Sequence, residues 1–121
     1  MTITELFKAF TDLEFQSNRL LKSVKIDLNW LAHFDERAEE VRQQIIRLEL
    51  NEMLNEEMQK LGRIDLDFAP DWNFGHKMTN IFSLGFYKKR YILKNREIYF
   101  RHEIDARKKL FHVAENELKE S

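Results

Sequence analysis

The N-terminal part of the chain places apolar side chains at the spacing of an amphipathic helix. Thr2 and Glu5 stand three positions apart, as in a capping box, and this pair indicates where the helix begins. The pattern predicts a helix that starts next to the N-terminus. Its apolar face comprises Ile3, Leu6, Phe7, Phe10 and Leu13 and continues through Leu20, Leu21, Val24, Leu28 and Leu31.

A second helix is predicted over residues 36–61. Asp35 is its expected N-cap, because an aspartate side chain accepts hydrogen bonds from the free N–H groups of a first turn. Gly62 is expected to end the helix in a left-handed conformation. The acids Glu36, Glu39 and Glu40 suit the first turn, and the apolar spacing is kept by Val41, Ile45, Leu48, Leu54, Met58 and Leu61.

The last part of the chain repeats an apolar position every seven residues. The competing interpretation is a β-hairpin that turns at Lys94-Asn95. This turn contains no Gly, and the repeat continues through it, so the pattern favours one long helix. The repeat consists of Ile92, Tyr99, Ala106 and Val113, and the stripe is widened by Leu93, Phe100, Ile104, Phe111, Ala114 and Leu118.

Two short segments alternate apolar and polar residues with the period of a half-buried strand. They are residues 24–30 and residues 63–68. An α+β fold in which these segments pair as a small sheet is therefore the alternative prediction. The all-α prediction is preferred because all three Gly and the single Pro fall between residues 62 and 85, and only that region has the residues of turns.

The preferred fold is a single domain over residues 1–121. It is an elongated bundle of three to four helices with one irregular connection at 62–85. A helix of about 34 residues would be about 51 Å long, whereas a compact domain of this length has a radius of gyration of about 14 Å. A homo-oligomer is one way to cover the part of such a helix that extends past the bundle.

Composition excludes several classes of protein. The chain has no Cys, so disulfides, thiolate metal sites and Cys nucleophiles are excluded. The sequence lacks a Gly-rich phosphate loop, a Gly-x-Ser-x-Gly nucleophile elbow and the pattern of a di-iron bundle. No cofactor and no metal are expected. The N-terminus does not resemble a signal peptide, and no apolar run is long enough to cross a bilayer, so a soluble cytoplasmic protein without membrane association is expected.

Charge is strongly segregated along the chain although the total is only −1. Residues 87–109 have nine Lys and Arg against three acids, a net +6, and residues 35–71 have eleven acids against five bases, a net −6. Cations near the start of the last helix and Glu115, Glu117 and Glu120 near its end both oppose the helix dipole. Helix stability therefore does not account for this arrangement, which favours a role in recognition.

These features predict a non-catalytic helical interaction module that acts through a basic helical face and an aromatic loop. The expected partner is a protein with an acidic surface or a second copy of the chain. Binding of a nucleic-acid backbone, with Tyr rings stacking on bases, is the first alternative. The candidate binding residues are Tyr87, Lys88, Lys89, Arg90, Tyr91, Lys94, Arg96, Arg101, Lys108 and Lys109 on the helix, and Trp72 and Phe74 in the loop.

The basic helix could instead be neutralised inside the molecule. If helix 36–61 packed antiparallel to the last helix, its acids would approach the bases at the start of that helix. Exposed pairs of this kind contribute only about 0–1 kcal/mol each, so they would set register more than stability. The acids are Glu49, Glu52, Glu56 and Glu57, and the bases are Lys88, Lys89, Arg90, Lys94 and Arg96.

One short element suggests a catalytic alternative. In the segment REIYFRH, Arg96 and His102 are separated by five residues. This spacing resembles the R-x(4–6)-H element of HEPN ribonucleases, which are helical and often dimeric. The resemblance covers seven residues and implies that Arg96 would stabilise phosphate charge while His102 would act as general acid and base. The position after the Arg, which is commonly polar in that family, is Glu97.

Overall fold

The computed structural model describes residues 1–68 and 86–120, with side chains for residues 1–68 and 95–120. This part of the chain contains four α-helices and no strand. We number them α1 (Ile3–Lys22), α2 (Leu28–Leu48), α3 (Glu52–Leu61) and α4 (Phe86–Glu120). The all-α prediction is confirmed. No helix among the described residues is both long enough and apolar enough to cross a membrane.

The segments with alternating residues do not pair as strands, so the α+β alternative is wrong. Residues 24–27 form the α1–α2 loop, residues 28–30 begin α2, and residues 63–68 are irregular. Ile26 and Ile64 are buried, whereas their neighbours Lys25 and Asp65 are exposed. A loop that anchors itself on the core by one side chain produces the same local alternation as a half-buried strand.

The first helix begins as its sequence predicts, but it ends before the predicted apolar face does. The Thr2 side chain accepts a hydrogen bond from the Glu5 N–H at 3.1 Å, which confirms the N-cap. The helix ends at Ser23, whose hydroxyl donates to the Leu20 carbonyl oxygen. The part of the predicted face within α1 packs into the core, where Leu6, Phe10, Leu13 and Leu20 are buried. Val24 and Leu28, which were assigned to the same face, lie beyond α1 and are exposed.

The predicted helix 36–61 is two helices, and its predicted start is wrong. Asp27 is the N-cap of α2, because its carboxylate accepts from the Asn29 and Trp30 N–H groups. Asp35 lies inside the helix, about two turns after this cap. The chain turns at Glu49, which adopts the left-handed conformation without being Gly, and Asn51 caps α3. Gly62 follows α3, so the predicted stop is in the right place. Its φ is positive, 58°, but its ψ of −153° lies outside the left-handed helical region that was expected.

The four helices form an antiparallel bundle in which each packs against two others. α1 contacts α2 and α4, and α3 also contacts α2 and α4. Phe10 meets Phe111 while the end of α1 lies beside Arg101, so α1 and α4 run in opposite directions. Arg42 reaches the Met58 carbonyl, which places α3 beside the second half of α2. The direction of the chain therefore alternates from helix to helix.

The long helix α4 passes through Lys94 and Asn95 without a turn, so the helix prediction is confirmed and the hairpin is wrong. Its core stripe lies one position away from the predicted seven-residue repeat. Val113, a member of that repeat, is 48% exposed. The buried positions alternate steps of four and three residues: Phe100, Ile104, Arg107, Phe111, Ala114 and Leu118.

Arg42 on α2 forms an ion pair with Glu39 of the same helix and also bonds to α3. Its guanidinium donates twice to the Glu39 carboxylate, at 2.7 Å each, and once to the Met58 carbonyl oxygen at 2.9 Å. The hydrogen bonds from Arg42 hold the pKa of Glu39 below its ordinary value, although partial burial acts in the opposite direction. The ionised form of Glu39 is therefore the one that the fold stabilises.

Glu39→Gln is expected to lower the free energy of unfolding at neutral pH by about 1 kcal/mol. Because folding lowers the pKa of Glu39, the unfolded chain binds more protons in the acidic range. The stabilisation is present above the ordinary Glu pKa and is lost as the pH falls through the lowered value. Urea unfolding from pH 7 down to about pH 2.5 should show wild type and variant converging. Glu40→Gln, in the more exposed Arg37–Glu40 pair, is the control. A difference in unfolding free energy between wild type and Glu39→Gln that does not change with pH would contradict this explanation.

Candidate interaction site at the basic end of the bundle

The α1–α2 loop is fastened to α4 by two charged side chains. Arg101 donates to the carbonyl oxygens of Leu21, Ser23 and Val24 at 2.9, 2.7 and 3.1 Å. Glu97 accepts from the Ile26 N–H at 2.7 Å and from Arg101 at 3.1 Å. The last carbonyls of a helix have no partner within the helix, and Arg101 supplies donors for them. The loop and residues 97–101 of α4 therefore lie at the same level of the bundle.

The N-terminal turns of α4 continue beyond this level. Residues 86–96 precede the contacts with the loop, and at a rise of about 1.5 Å per residue they extend the helix by about 15 Å. This segment, FYKKRYILKNR, has five Lys and Arg and no acid. A continuous stretch of helix without one acidic residue thus leads away from the loop.

We define the basic end as residues 22–30, 63–68 and 86–101, because Arg96 donates to the Leu66 carbonyl oxygen and the Asp65 N–H donates to the Tyr99 hydroxyl at this level. These three ranges hold nine Lys and Arg against four acids, a net +5. Lys22 and Lys25 are exposed on either side of Val24, which is itself fully exposed. The Trp30 ring is about half-exposed and lies under the Arg19 guanidinium, 4.2 Å from its centre. Positive charge and apolar surface therefore occur together at this end.

The predicted binding residues fall into four groups. Arg96 and Arg101 bond to backbone carbonyls of the same chain. Lys108 and Lys109 line a groove of about 370 Å³ between α1 and α4, and Lys109 pairs with Asp105 at 2.8 Å. Tyr87, Lys88, Lys89, Arg90, Tyr91 and Lys94 lie in the helical backbone of α4, but their side chains are outside the described part. Trp72 and Phe74 lie outside the described residues altogether.

Arg96 and His102 lie on different sides of α4 and have different surroundings. Arg96 donates to the Leu66 carbonyl oxygen at 3.0 Å, and its guanidinium lies near the Phe100 ring. His102 is exposed and borders a groove between α3 and α4. Six residues of helix rotate a side chain by about 600°, so the two positions lie about 120° apart around α4. Glu97, the residue after Arg96, accepts a hydrogen bond from the Ile26 N–H in the α1–α2 loop.

The acids of α3 lie beside a different part of α4 from the one expected. α3 does run antiparallel to α4, but Glu57 and Lys60 border a groove with residues 102–113 rather than with the start of α4. Arg96, the described member of the basic set, pairs with a carbonyl and not with an acid. The ion pairs of α4 in the described part are within the helix: Arg101–Glu97, Arg107–Glu103, Lys109–Asp105 and Lys119–Glu115.

No family model, curated protein or solved structure matches the chain. The function must therefore be inferred from the geometry of this molecule. In the part of the chain that the structure describes, no group of three or more His, Asp or Glu side chains could hold a metal ion.

The structural roles of three residues at or near this site were not predicted from the sequence. Arg107 is buried, and it donates to Glu103 and to the carbonyls at the end of α3. Its position in the four-three spacing of the core stripe was visible in the sequence, but a charged residue is rarely assigned to a core. Glu97 and Arg101 gave no signal, because their partners are backbone groups more than seventy residues away.

Proposed function

We propose that the protein is a non-catalytic interaction module whose basic end binds an acidic protein surface. The observation that supports this most directly is the run of five bases without an acid on residues 86–96, in a helix that extends past the α1–α2 loop. Arg96 and Arg101 are engaged by backbone carbonyls, and Arg63 pairs with Asp35. Lys22, Lys25, Lys88, Lys89, Arg90 and Lys94 form the remaining basic set of this end.

An acidic protein surface fits this end better than a nucleic acid does. The basic end also has exposed apolar side chains, Val24 and Trp30, next to its bases. Protein interfaces combine an apolar centre with a polar rim, whereas nucleic-acid interfaces are more polar and more positively charged. The total charge of −1 is also unlike that of most nucleic-acid binders.

The proposal can be tested with a labelled poly-L-glutamate peptide and a single-stranded oligonucleotide of the same number of charges. We expect the peptide to bind at low salt and to dissociate as salt screens the charges. Lys88→Glu combined with Lys89→Glu should weaken peptide binding about tenfold or more, because it replaces two attractive charges by two repulsive ones. A tenfold loss corresponds to about 1.4 kcal/mol of binding free energy. Fluorescence anisotropy over a salt series measures both effects.

The matched control is Lys60→Glu combined with Lys109→Glu, which changes charge by the same amount at two exposed lysines in the middle of the bundle. It should bind the peptide almost as the wild type does. Equal losses in both variants would show that only total charge matters and would remove the basic end from the proposal. Tighter binding of the oligonucleotide than of the peptide would replace the proposal by nucleic-acid-backbone binding.

A further inference from the structure

The opposite end of the bundle is acidic, although its members are far apart in the sequence. Because the helices alternate in direction, the start of α1, the α2–α3 loop and the end of α4 all lie at this end. We define the acidic end as residues 1–5, 47–53 and 115–120. These ranges hold six acids and two bases, a net −4. The described residues at the two ends therefore differ in charge along the bundle axis, with +5 at one end and −4 at the other.

Exposed apolar side chains are also concentrated at the two ends. In the described part of the chain, ten large apolar side chains are exposed, and eight of them belong to the two ends. Such patches with a polar rim are typical of protein interfaces. Val24, Leu28, Trp30 and Ile98 lie at the basic end, and Met1, Ile3, Leu48 and Met53 lie at the acidic end.

The charges on α4 are placed unfavourably for their own helix but favourably for a helix that continues it. Bases lie at its positive N-terminus and three acids, Glu115, Glu117 and Glu120, at its negative C-terminus. If a second copy is stacked in the same direction, these acids face the positive helix start of the neighbour. The bases of that neighbour then face the negative helix end of the first copy. Both unfavourable placements are explained by one contact.

We propose that copies of the chain associate head to tail, with the basic end of one copy seated on the acidic end of the next. This inference rests on the proposed function and identifies the acidic surface as one that the chain itself has. The segment 86–96 extends about 15 Å past the α1–α2 loop, so it brings the positive start of α4 to the end of α4 in the neighbour. The contact uses different surfaces of the two copies, so it is heterologous and leaves a free end of each kind.

The decisive experiment uses two variants that each disable one end. Lys88→Glu with Lys89→Glu reduces the basic end, and Glu117→Lys with Glu120→Lys reduces the acidic end. Each reversal places charges that suit the dipole of α4, so neither is expected to unfold the helix. Sedimentation equilibrium at low salt should give a mass for the wild type that rises with concentration beyond two chains. Each variant alone should remain at the mass of one chain.

Mixing the two variants separates head-to-tail association from every symmetric dimer. Each variant keeps the end that the other lacks, so an equimolar mixture should form a complex of two chains that does not grow further. The control Lys60→Glu with Lys109→Glu should associate like the wild type. A wild type with the mass of one chain at every concentration would overturn the proposal. So would a wild type that stops at two chains, or a mixture that remains monomeric.

One further measurement distinguishes failure of this inference from failure of the proposed function. The variant Glu117→Lys with Glu120→Lys keeps the basic end intact, so it should bind the labelled poly-L-glutamate peptide with an affinity within about twofold of the wild type. If the wild type does not self-associate but this peptide still binds, the partner is another acidic protein and only the head-to-tail contact is wrong. If neither is seen, the proposed function fails as well.

Discussion

Arg107→Ala is expected to lower the free energy of unfolding by about 3–5 kcal/mol, because it removes one member of a buried, hydrogen-bonded charge network. The side chain of Arg107 is 1% exposed. It donates to the Glu103 carboxylate at 2.7 Å and to the carbonyl oxygens of Leu61 and Gly62 at 3.3 and 2.9 Å. These carbonyls end α3 and have no partner inside that helix. The variant leaves them unsatisfied and opens a cavity between α3 and α4.

Urea unfolding of Arg107→Ala beside Lys109→Ala gives the measurement and its control. Lys109 lies two residues away on α4, its ion pair with Asp105 is exposed, and its loss should cost no more than about 1 kcal/mol. Arg107→Met keeps most of the volume of the Arg stem but has no donor, so an intermediate cost of about 2–3 kcal/mol is expected. Similar unfolding curves for Arg107→Ala and Lys109→Ala would show that the contacts of Arg107 do not stabilise the bundle.

Native-state hydrogen exchange would show which helix is destabilised in Arg107→Ala. The C-terminus of α3 is joined to α4 by Arg107, and α3 is the shortest of the four helices. Short elements with few partners open first. In Arg107→Ala, the amides of α3 should therefore exchange faster than those of α1, which keeps its contacts with α2 and α4. Uniform acceleration in all helices would indicate global destabilisation without a local role.

The presence of the helices could be predicted from the sequence, because helix formation depends on residues only a few positions apart. The Thr2 cap, the stop at Gly62 and the unbroken α4 all follow from local spacing. The break after Leu48 could not be read in the same way. Glu49 takes a left-handed conformation that favours Gly, and the packing of α3 on α2 and α4 compensates for that local cost.

The candidate site could be predicted only in part, because charge in a sequence does not show its partner. The basic segment was recognised from composition, yet Arg96 and Arg101 are used to satisfy carbonyls of the same chain. The acidic end was not recognised, because it is assembled from three ranges that meet only through the antiparallel bundle. The fold thus brings basic segments together at one end of the bundle axis and acidic segments together at the other.

Asp35→Ala is expected to lower the free energy of unfolding by about 2–4 kcal/mol, since it leaves a buried backbone donor without a partner. The Asp35 side chain is 4% exposed; it accepts from the Ile64 N–H at 3.0 Å and pairs with Arg63 at 3.0 Å. The two interactions can be separated, because Arg63 is more than half exposed and can be solvated when the charge is removed.

Asp35→Asn distinguishes the backbone hydrogen bond from the ion pair. Its side-chain oxygen can still accept from the Ile64 N–H, so only the pair with Arg63 is lost, at a cost of about 1 kcal/mol. Arg63→Ala should cost more than Asp35→Asn, because it leaves the buried Asp35 carboxylate without its cation. Thermal and urea unfolding should therefore rank Asp35→Ala well below Asp35→Asn in stability. If Asp35→Asn is as unstable as Asp35→Ala, the charge of Asp35 and not its bond to Ile64 holds the segment after α3 on α2.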